Sequence, residues 1–443
     1  MPKDRPYIHL SEEMTNPVET TGWDDLGLVE EWATGHHACL AWQVTALPIY
    51  DGMAMVRGLR WEEWTRQVLR DQMRFLAAWQ PELDPLEGTF NPALRSLQLR
   101  FLGGREASGE GIWLLAKVFD PDPDRARMRA RALHEEVQAL FPPGYGLHPL
   151  TEAADLARCW PLATDEGEED GWWLAEIRRG IKRVRRGVCS TVPRRPGRKL
   201  SADRQIGHQT AGFGNPAGAD CDLPSPPGDG WQLYPFVWSV GGLRRTLEVT
   251  QATPGQAMLC VTLRPTGLHE MEEERLRGLL LAGRRKQKAV AMLLQDTTKH
   301  ENLYWTPELV RGCPQQVEES VLANRAVFRA VPGRWRHPYL LRVCLAGRET
   351  CPDPLVRALA ADLTAPDGSP RPYTLTYPEG PEEREVARRN LRWLEMEGWG
   401  TDVLLAPPDQ RLRYLVDVRE AQAAFRIPVL DPDEADGWGL RVE

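Results

Sequence analysis

The sequence predicts an α+β fold of repeated helix-hairpin-helix units plus a strand-helix-strand-helix segment, in two to three subdomains. The 443 residues are 42% apolar and 27% charged, which is the composition of a folded globular protein. At about 150 residues per domain, this length allows two or three domains. Apolar runs with helical period alternate with short β-like runs, and one element order occurs twice.

The first predicted unit covers residues 1–165. Apolar residues at helical spacing predict an amphipathic helix over 61–79. The β-like runs 96–104 and 111–119, joined by the polar segment REASGE, predict a hairpin. The following DPDPD supplies a helix N-cap, and the helix after it presents one apolar face, formed by Ala130, Leu133, Val137, Leu140 and Phe141.

The second predicted unit covers residues 231–335 and repeats this order. The runs 246–252 and 257–265 flank the turn sequence TPGQ, which predicts a second hairpin. A helix is predicted after it from the apolar residues Met271, Leu276, Leu279 and Leu280. The shared order indicates two units of one design.

Residues 336–430 predict a further α/β layer. Strand-like runs at 337–346 and 371–377 alternate with helical patterns at 352–363 and 381–398. An acidic tail, 431–443, is expected to follow this layer.

Residues 166–230 predict a linker or long loop between the two units. An acidic segment at 164–170 precedes the run 177–199, which carries ten Arg or Lys and no acid. A Gly/Pro-rich stretch continues to residue 230 and is too polar to form a core.

The basic run is a candidate nucleic-acid interface. Its cations could bind phosphates, and two tryptophans just upstream could stack on single-stranded bases. The residues concerned are Arg178, Arg179, Lys182, Arg183, Arg185, Arg186, Trp172 and Trp173. The alternative is that the run forms a solvated face or a counterpart to the acidic segment, and that the tryptophans belong to a core.

The sequence contains no recognisable catalytic motif. The dipeptide Gly-Lys, which a phosphate-binding P-loop requires, does not occur, and the cluster GFGNPAG at 212–218 follows no predicted strand. No G-x-S-x-G elbow or C-x-x-C pair is present. We therefore expect no catalytic residues, no cofactor and no metal, and the sequence leans against an enzyme.

Apolar runs and cysteine usage predict a cytoplasmic protein, and the excess of Arg over Lys, 48 against seven, predicts a bacterial one. The formal net charge of -8 argues against a generally basic nucleic-acid coat protein. The N-terminal residues lack the apolar core of a secretory signal, and no apolar run approaches the roughly 20 residues needed to span a bilayer. Eight dispersed Cys do not form a disulfide framework, which fits a reducing compartment.

The segment LRYLVDVREAQAAFRIPVLD, residues 412–431, carries a pattern E-A-x-x-x-F-R-x-P formed by Glu420, Ala421, Phe425, Arg426 and Pro428. It resembles the junction that closes the N-terminal, non-ATPase region of HerA-like and type IV secretion-like ATPases of the HerA/FtsK superfamily. That region serves partner docking and hexamer assembly, while a RecA-like core hydrolyses ATP. Here the pattern is followed by 15 residues without an ATPase core. The resemblance therefore implies either a separately encoded N-terminal half whose motor is another polypeptide, or a diverged copy that became an adaptor.

Two functions from different classes follow as hypotheses. The first is a non-catalytic docking and assembly subunit of a separate P-loop ATPase, in conjugation-like DNA transfer or phage defence. The resemblance implies that this partner docks at Glu420, Phe425, Arg426 and Pro428. The alternative is an autonomous nucleic-acid-binding protein, acting on DNA or RNA through residues 177–199. An enzyme with an unfamiliar site is a weaker third possibility.

Overall fold

The chain forms two compact units. The first comprises Met1–Arg179, Phe236–Leu268 and Arg336–Glu443, and the second comprises Gly180–Pro235 and His269–Trp335. The computed structural model describes residues 6–18, 23–24, 27–28, 31–48, 50, 58–79, 95–105, 111–159, 172–184, 230–234, 236–266, 339–348, 351–365, 373–399, 413–429 and 441–442.

Short and long strands account for much of the described chain. They are β1 (His9–Val18), β2 (Trp23–Asp24), β3 (Gly27–Leu28), β4 (Glu31–Leu47), β5 (Arg95–Gly103), β6 (Gly111–Asp120), β7 (Gly146–Pro149), β8 (Trp172–Val184), β9 (Gly230–Tyr234), β10 (Ala257–Pro265), β11 (Tyr339–Arg348), β12 (Tyr373–Thr376), β13 (Leu415–Val416) and β14 (Arg441–Val442). Most of them belong to one sheet of order β1-β4-β6-β5-β10-β11-β8-β12. Strands β7 and β14 also pair with β4, and β13 pairs with β11. The ladders are antiparallel except for the parallel pair β14 and β4.

Helices of varied length connect and cover the strands. They are α1 (Trp61–Trp79), α2 (Pro123–Leu140), α3 (Ala153–Cys159), α4 (Arg244–Ala252), α5 (Asp353–Thr364), α6 (Pro381–Trp393) and α7 (Val418–Ala424). Helix α2 begins as its sequence predicts, because the Asp122 carboxylate accepts hydrogen bonds at 2.9 Å from the backbone N–H groups of Asp124 and Arg125. Pro123 occupies the first turn, where a missing N–H carries no cost.

One face of the sheet, called here the apolar face, carries the main hydrophobic core. Alternate strand residues such as Leu99, Leu114 and Leu259 are 0% exposed on this face. Buried residues of α1, α2, α4, α5 and α7 join them in a single cluster. The apolar stripe of α1, which the sequence predicts from its spacing, is the part of this helix that is buried.

The opposite face, called here the polar face, has a smaller hydrophobic cluster. It contains Leu156 of α3, Leu391 of α6 and Trp399, together with strand residues such as Trp113 and Cys260. The remaining strand positions on this face carry polar and charged side chains, which are buried as well.

The first predicted unit contains its expected elements, since α1, the antiparallel pair β5 and β6, and α2 follow in order. The predicted α+β class of repeated helix-hairpin-helix units is nevertheless wrong, because the described chain is dominated by one mostly antiparallel sheet. Residues 246–252 were expected to form a strand, but they lie in α4. Thr246, Leu247 and Thr250 recur at helical spacing and are buried on one side of this helix. Their packing outweighs the preference of Thr and Val for strands. Strand β10 consequently pairs with β5 and β11.

The predicted separate α/β layer at 336–430 is also absent from the described residues. Strands β11 and β12 both pair antiparallel with β8, one on each side of it, so they belong to the same sheet as β10. Residues 166–230 were expected to form a linker, but Trp172–Arg179 form the part of β8 that lies in the first unit. In the second unit, Gly180–Val184 pair with β9.

Several expectations fall outside the described residues. They concern the helix containing Met271, the Gly/Pro-rich stretch up to residue 229, and the acidic tail apart from β14. Within the part of the chain that is described, no helix has the combination of length and apolarity needed to cross a bilayer.

Candidate functional site

The polar face of the sheet holds a group of buried polar side chains, named here the polar belt. They lie on five neighbouring strands, β6, β5, β10, β11 and β8, and on β4 beside them. They alternate with the apolar residues of the opposite face, because successive strand residues point to opposite sides. The belt consists of Ser96, Gln98, Arg100, Lys117, Glu176, Arg178, Thr262, Arg264 and Arg342, together with His37 of β4. None of these ten residues is more than 8% exposed.

Glu176 is the central carboxylate of the belt. It accepts hydrogen bonds at 3.1 Å from Arg178 Nε and from Arg342 Nη1, and the hydroxyl of Tyr414 also bonds to it. Burial by itself would raise the pKa of the Glu176 carboxyl, but Arg342 and Arg178 lower it below its usual value. Glu176 is therefore ionised and paired with two guanidinium groups.

Residues 394–399, named here the strap, lie over these two arginines. The Arg178 side chain donates to the carbonyl of Trp399 at 2.5 Å, and Arg342 donates to the carbonyl of Glu397 at 2.6 Å. The Trp399 ring lies 4.9 Å from the Arg178 guanidinium, which adds a cation–π contact. The belt therefore fixes the strap through backbone carbonyls.

Arg100 donates hydrogen bonds to uncharged acceptors. It donates to Gln98 Oε1 and to the carbonyl of Cys159, both at 2.9 Å, and to the carbonyl of Leu391 at 3.0 Å. The Gln98 amide in turn donates to Thr262 at 2.9 Å. These bonds join β5 and β10 to α3 and α6.

The remaining corner of the belt is named here the Arg264 cluster and comprises His37, Lys117, Arg264 and Glu395. Lys117 Nζ forms an ion pair with the Glu395 carboxylate, and His37 Nε2 lies 3.7 Å from the same carboxylate. Burial would raise the pKa of Glu395, but Lys117 and Arg264 lower it to about 2. Burial, followed by the charge of Lys117, lowers the pKa of His37 to about 3. At neutral pH Glu395 is charged and His37 is neutral.

The structure places the predicted nucleic-acid residues in different environments. Arg178 is 5% exposed and paired with Glu176, and Arg179 is 0% exposed and paired at 2.9 Å with Glu420. These two guanidinium groups stabilise the interior, so the expectation that they bind phosphates does not fit their position. Lys182 and Arg183 belong to β8 in the second unit, and Arg185 and Arg186 lie outside the described residues.

The two predicted stacking residues are half-buried. Trp173 Nε1 donates to the carbonyl of Arg348 at 3.1 Å, and the Arg348 guanidinium lies 5.4 Å from the Trp172 ring. Both rings contact the neighbouring strand β11, as the alternative interpretation of core tryptophans expects.

The four predicted docking residues are also interior residues. Glu420 accepts from Arg179 and, at 3.0 Å, from the backbone N–H of Phe236, while Phe425 is 3% exposed in the core of the apolar face. The Pro428 carbonyl accepts from the Tyr145 hydroxyl at 3.2 Å. These groups are packed inside the first unit in this conformation, and docking of a partner at them stays a prediction.

Arg426, the fourth of these residues, is 4% exposed. It donates hydrogen bonds to the carbonyls of Ser239 and Val240, and burial lowers its pKa to about 10. Its guanidinium lies so close to Gly242 that a Cβ there would be 2.6 Å from Cζ; Gly242 also has a φ of +55°, which favours glycine. A cavity of about 20 Å³ adjoins it, enough for a water molecule.

A side chain of α1 holds the residue between Arg426 and Pro428. The backbone N–H of Ile427 donates to Gln72 Oε1 at 3.2 Å, and its carbonyl accepts from Gln72 Nε2 at 2.7 Å. The Gln72 amide therefore pairs with this backbone as a neighbouring strand would. The segment 425–429 is fixed to α1 although it is not part of the sheet.

The described residues offer little for covalent or metal chemistry. No group of three His, Cys, Asp or Glu among them could hold a metal ion. Burial raises the pKa of the Cys260 and Cys344 thiols, which makes them poor nucleophiles. The belt is an arrangement for rigidity, in which buried donors bond to acceptors of the same chain.

Sequence reasoning identified only Arg178 of the polar belt. The available signal was a period of two within single strands, for example Ser96, Gln98 and Arg100 alternating with leucine and phenylalanine in β5. Such a pattern normally marks a strand with one solvated face. Here α6 and the strap cover this face instead of solvent. They lie nearly 300 residues after β5 in the chain, so the pattern within β5 carries no information on them.

The sequence matches no protein-family model, and no curated protein matches it. The resemblance of residues 412–431 to the HerA/FtsK superfamily therefore remains an expectation from the motif alone.

Proposed function

We propose that this chain is a non-catalytic docking and assembly subunit that works with a separate ATP-driven DNA translocase, and that the partner docks along strand β12. The observation that carries the proposal is the concentration of exposed aromatic surface at this strand. Among the described residues, the large apolar side chains that are exposed are Met128 at 61%, Tyr373 at 41% and Tyr377 at 42%. Two of these three lie at β12.

Strand β12 has the geometry of an edge that can accept another strand. It ends the sheet order, and the neighbour it has among the described residues is β8. An edge strand presents unpaired backbone N–H and C=O groups, which an extended segment of a partner can pair with. Tyr and other aromatic residues are enriched in protein interfaces.

The strand is also held firmly, which lowers the entropic cost of docking. Its Thr374 accepts a hydrogen bond at 3.1 Å from Arg413, and its four residues pair with Glu176–Arg179 of β8. Two of those partners, Glu176 and Arg178, belong to the polar belt. The neighbouring strand that holds β12 is thus itself fixed by buried ion pairs.

The choice of a translocase as partner comes from the resemblance of residues 412–431. The segment closes the first unit by packing into its core, so it supports the docking surface instead of forming it. Nothing in the placement of Arg178 and Arg179 favours the alternative of an autonomous nucleic-acid-binding protein.

The test is affinity purification of the tagged full chain from its native cell. We expect a co-purifying polypeptide that carries G-x-x-x-x-G-K-[ST], and we expect Tyr373→Glu/Tyr377→Glu to reduce its recovery at least tenfold. The matched control is Met128→Glu on α2, which changes an equally exposed apolar residue away from β12 and should leave recovery unchanged.

Two results would contradict the proposal. One is the absence of any P-loop ATPase from the purified material after cross-linking. The other is equal recovery of the ATPase with the double variant and with the control, which would remove β12 from the interface.

A further inference from the structure

The sequence around strand β12 reads the same in both directions. Residues 372–378 are PYTLTYP, with Leu375 at the centre, and the next residues outward in the sequence, Arg371 and Glu379, carry opposite charges. When two identical strands pair antiparallel about a two-fold axis, residue i of one copy lies opposite residue j of the other, and j lies opposite i. A palindromic strand therefore meets residues of its own type when two copies pair about its central residue.

The structure places the middle of this palindrome at an edge of the sheet. Strand β12 pairs with β8 and ends the order of strands among the described residues. Tyr373 and Tyr377 are exposed, and Leu375 between them packs against the core of the apolar face. Thr374 is the register partner of Arg178, which belongs to the polar belt. The edge therefore has an aromatic side and a threonine side.

Antiparallel pairing with β12 of a second copy, centred on Leu375, matches both sides of this edge. It places Tyr373 beside the second copy's Tyr377, Leu375 beside Leu375, and Thr374 beside Thr376. Aromatic pairs and threonine pairs of this kind stabilise antiparallel strands. The pairing also provides partners for the backbone N–H and C=O groups that an edge strand directs outward.

We propose that two copies of this chain associate by antiparallel pairing of β12 about Leu375. The two-fold contact uses both edges completely, so association at β12 stops at two copies. Few residues of each copy take part, and the association is therefore reversible. The dimer itself does not depend on the proposed docking function. One consequence does rest on that function: the second copy and the ATPase exclude each other at β12, so the dimer covers the edge until the partner binds.

The experiment measures the mass of the purified full chain, without any ATPase, by sedimentation equilibrium over a series of concentrations. We expect a reversible equilibrium between monomer and dimer. Tyr373→Glu/Tyr377→Glu places two carboxylates opposite each other in both pairs and should weaken dimerisation at least tenfold. The matched control, Met128→Glu on α2, adds a carboxylate at another exposed apolar residue and should leave dimerisation unchanged.

An exchange of charges tests the pairing itself. Tyr373→Lys/Tyr377→Glu places an ammonium group opposite a carboxylate in both pairs and should restore the dimerisation that the double Glu variant loses. Within one copy the two positions are four residues apart along an extended strand, about 13 Å, which is too far for a direct ion pair. The restoration therefore reports on contact between two copies.

Three results would overturn the proposal. The first is a chain that stays monomeric over the whole concentration series. The second is equal dimerisation of the double Glu variant and the control, since the contact would then lie on another surface. The third is failure of Tyr373→Lys/Tyr377→Glu to restore dimerisation, because the strands would then not pair about Leu375. These measurements contain no ATPase, so none of the three results contradicts the docking function, which the recovery of the ATPase tests.

Discussion

The two faces of the sheet are both buried, but different interactions stabilise them. On the apolar face, Leu99, Leu114 and Leu259 pack under five helices, where burial of apolar area supplies the free energy. On the polar face, Glu176 and the residues around it are ordered by directional bonds to α3, α6 and the strap. Apolar packing tolerates changes that conserve volume, whereas a buried ionic group requires each partner. One sheet can therefore combine a face that tolerates substitutions of similar volume with a face in which each polar residue needs its particular partner.

The largest expected effect tests the apolar face at Phe425. Phe425→Ala removes a side chain that is 3% exposed, and the cavity left behind should lower the free energy of unfolding by about 4 kcal/mol. Urea unfolding followed by tryptophan fluorescence measures it. Tyr377→Ala, at a residue 42% exposed, is the control and should change stability by less than about 0.5 kcal/mol. A loss below about 1 kcal/mol for Phe425→Ala would show that this segment does not stabilise the core.

A similar loss is expected on the polar face for a different reason. Glu176→Ala leaves Arg178 and Arg342 buried without their shared carboxylate, which should cost about 3 kcal/mol. Replacing all three residues together, as Glu176→Leu with Arg178→Met and Arg342→Met, should recover most of that loss because no charge is then unpaired. The exposed pair Arg357 and Asp353 is the control, since Asp353→Ala should cost less than about 1 kcal/mol. A triple variant as unstable as Glu176→Ala would contradict the distinction between the faces.

The smallest of the three effects is a dependence on pH. The pKa of His37 is lowered from 6.5 to about 3, so as pH falls below 6.5 the unfolded chain takes up a proton that the folded chain does not. Stability from this residue is complete above pH 6.5 and should decrease by about 2 kcal/mol between pH 6.5 and 5. His37 is faced by Lys117, Glu395, Phe119 and Trp393. The lowered pKa of Glu395 also makes the folded chain less stable in acid, but only below about pH 4.5, outside this interval.

The measurement compares denaturant midpoints of the wild-type chain and His37→Gln over this interval. The variant should lose about 2 kcal/mol less than the wild type on acidification. Parallel pH profiles for the two proteins would show that His37 is not held neutral by its surroundings.

The sequence predicted individual elements better than their assembly. The spacing of Trp64, Val68 and Phe75 identified α1, and the turn between β5 and β6 identified their pairing, because both signals are local. The pairing of β10 with β5 and β11 depends on residues more than 70 positions away, and local spacing carries no information on it. Local preferences also misassigned α4, whose Thr and Val residues favour a strand.

The candidate site was predictable only in part for the same reason. Arg178 was identified through its place in a basic run, which indicated an exposed surface. Its burial results from Glu176, two residues before it, and from Trp399 and Tyr414, which later parts of the chain contribute. Glu420, Phe425, Arg426 and Pro428 were chosen as docking residues from a short motif. A motif gives the residue types and their spacing, but it does not show which side chains are buried.

The pairing of Gln72 with Ile427 joins residues 355 positions apart and therefore has a consequence for synthesis. At about 5 to 20 residues per second, the ribosome takes about 20 to 70 s to extend the chain from α1 to this partner. Throughout that interval the Gln72 amide can bond to Tyr145, 73 positions later, but it lacks its Ile427 partner, and the part of α1 that α7 later covers has no native cover. We therefore expect the nascent first unit to expose apolar surface, which favours aggregation, until its last segment emerges from the ribosome.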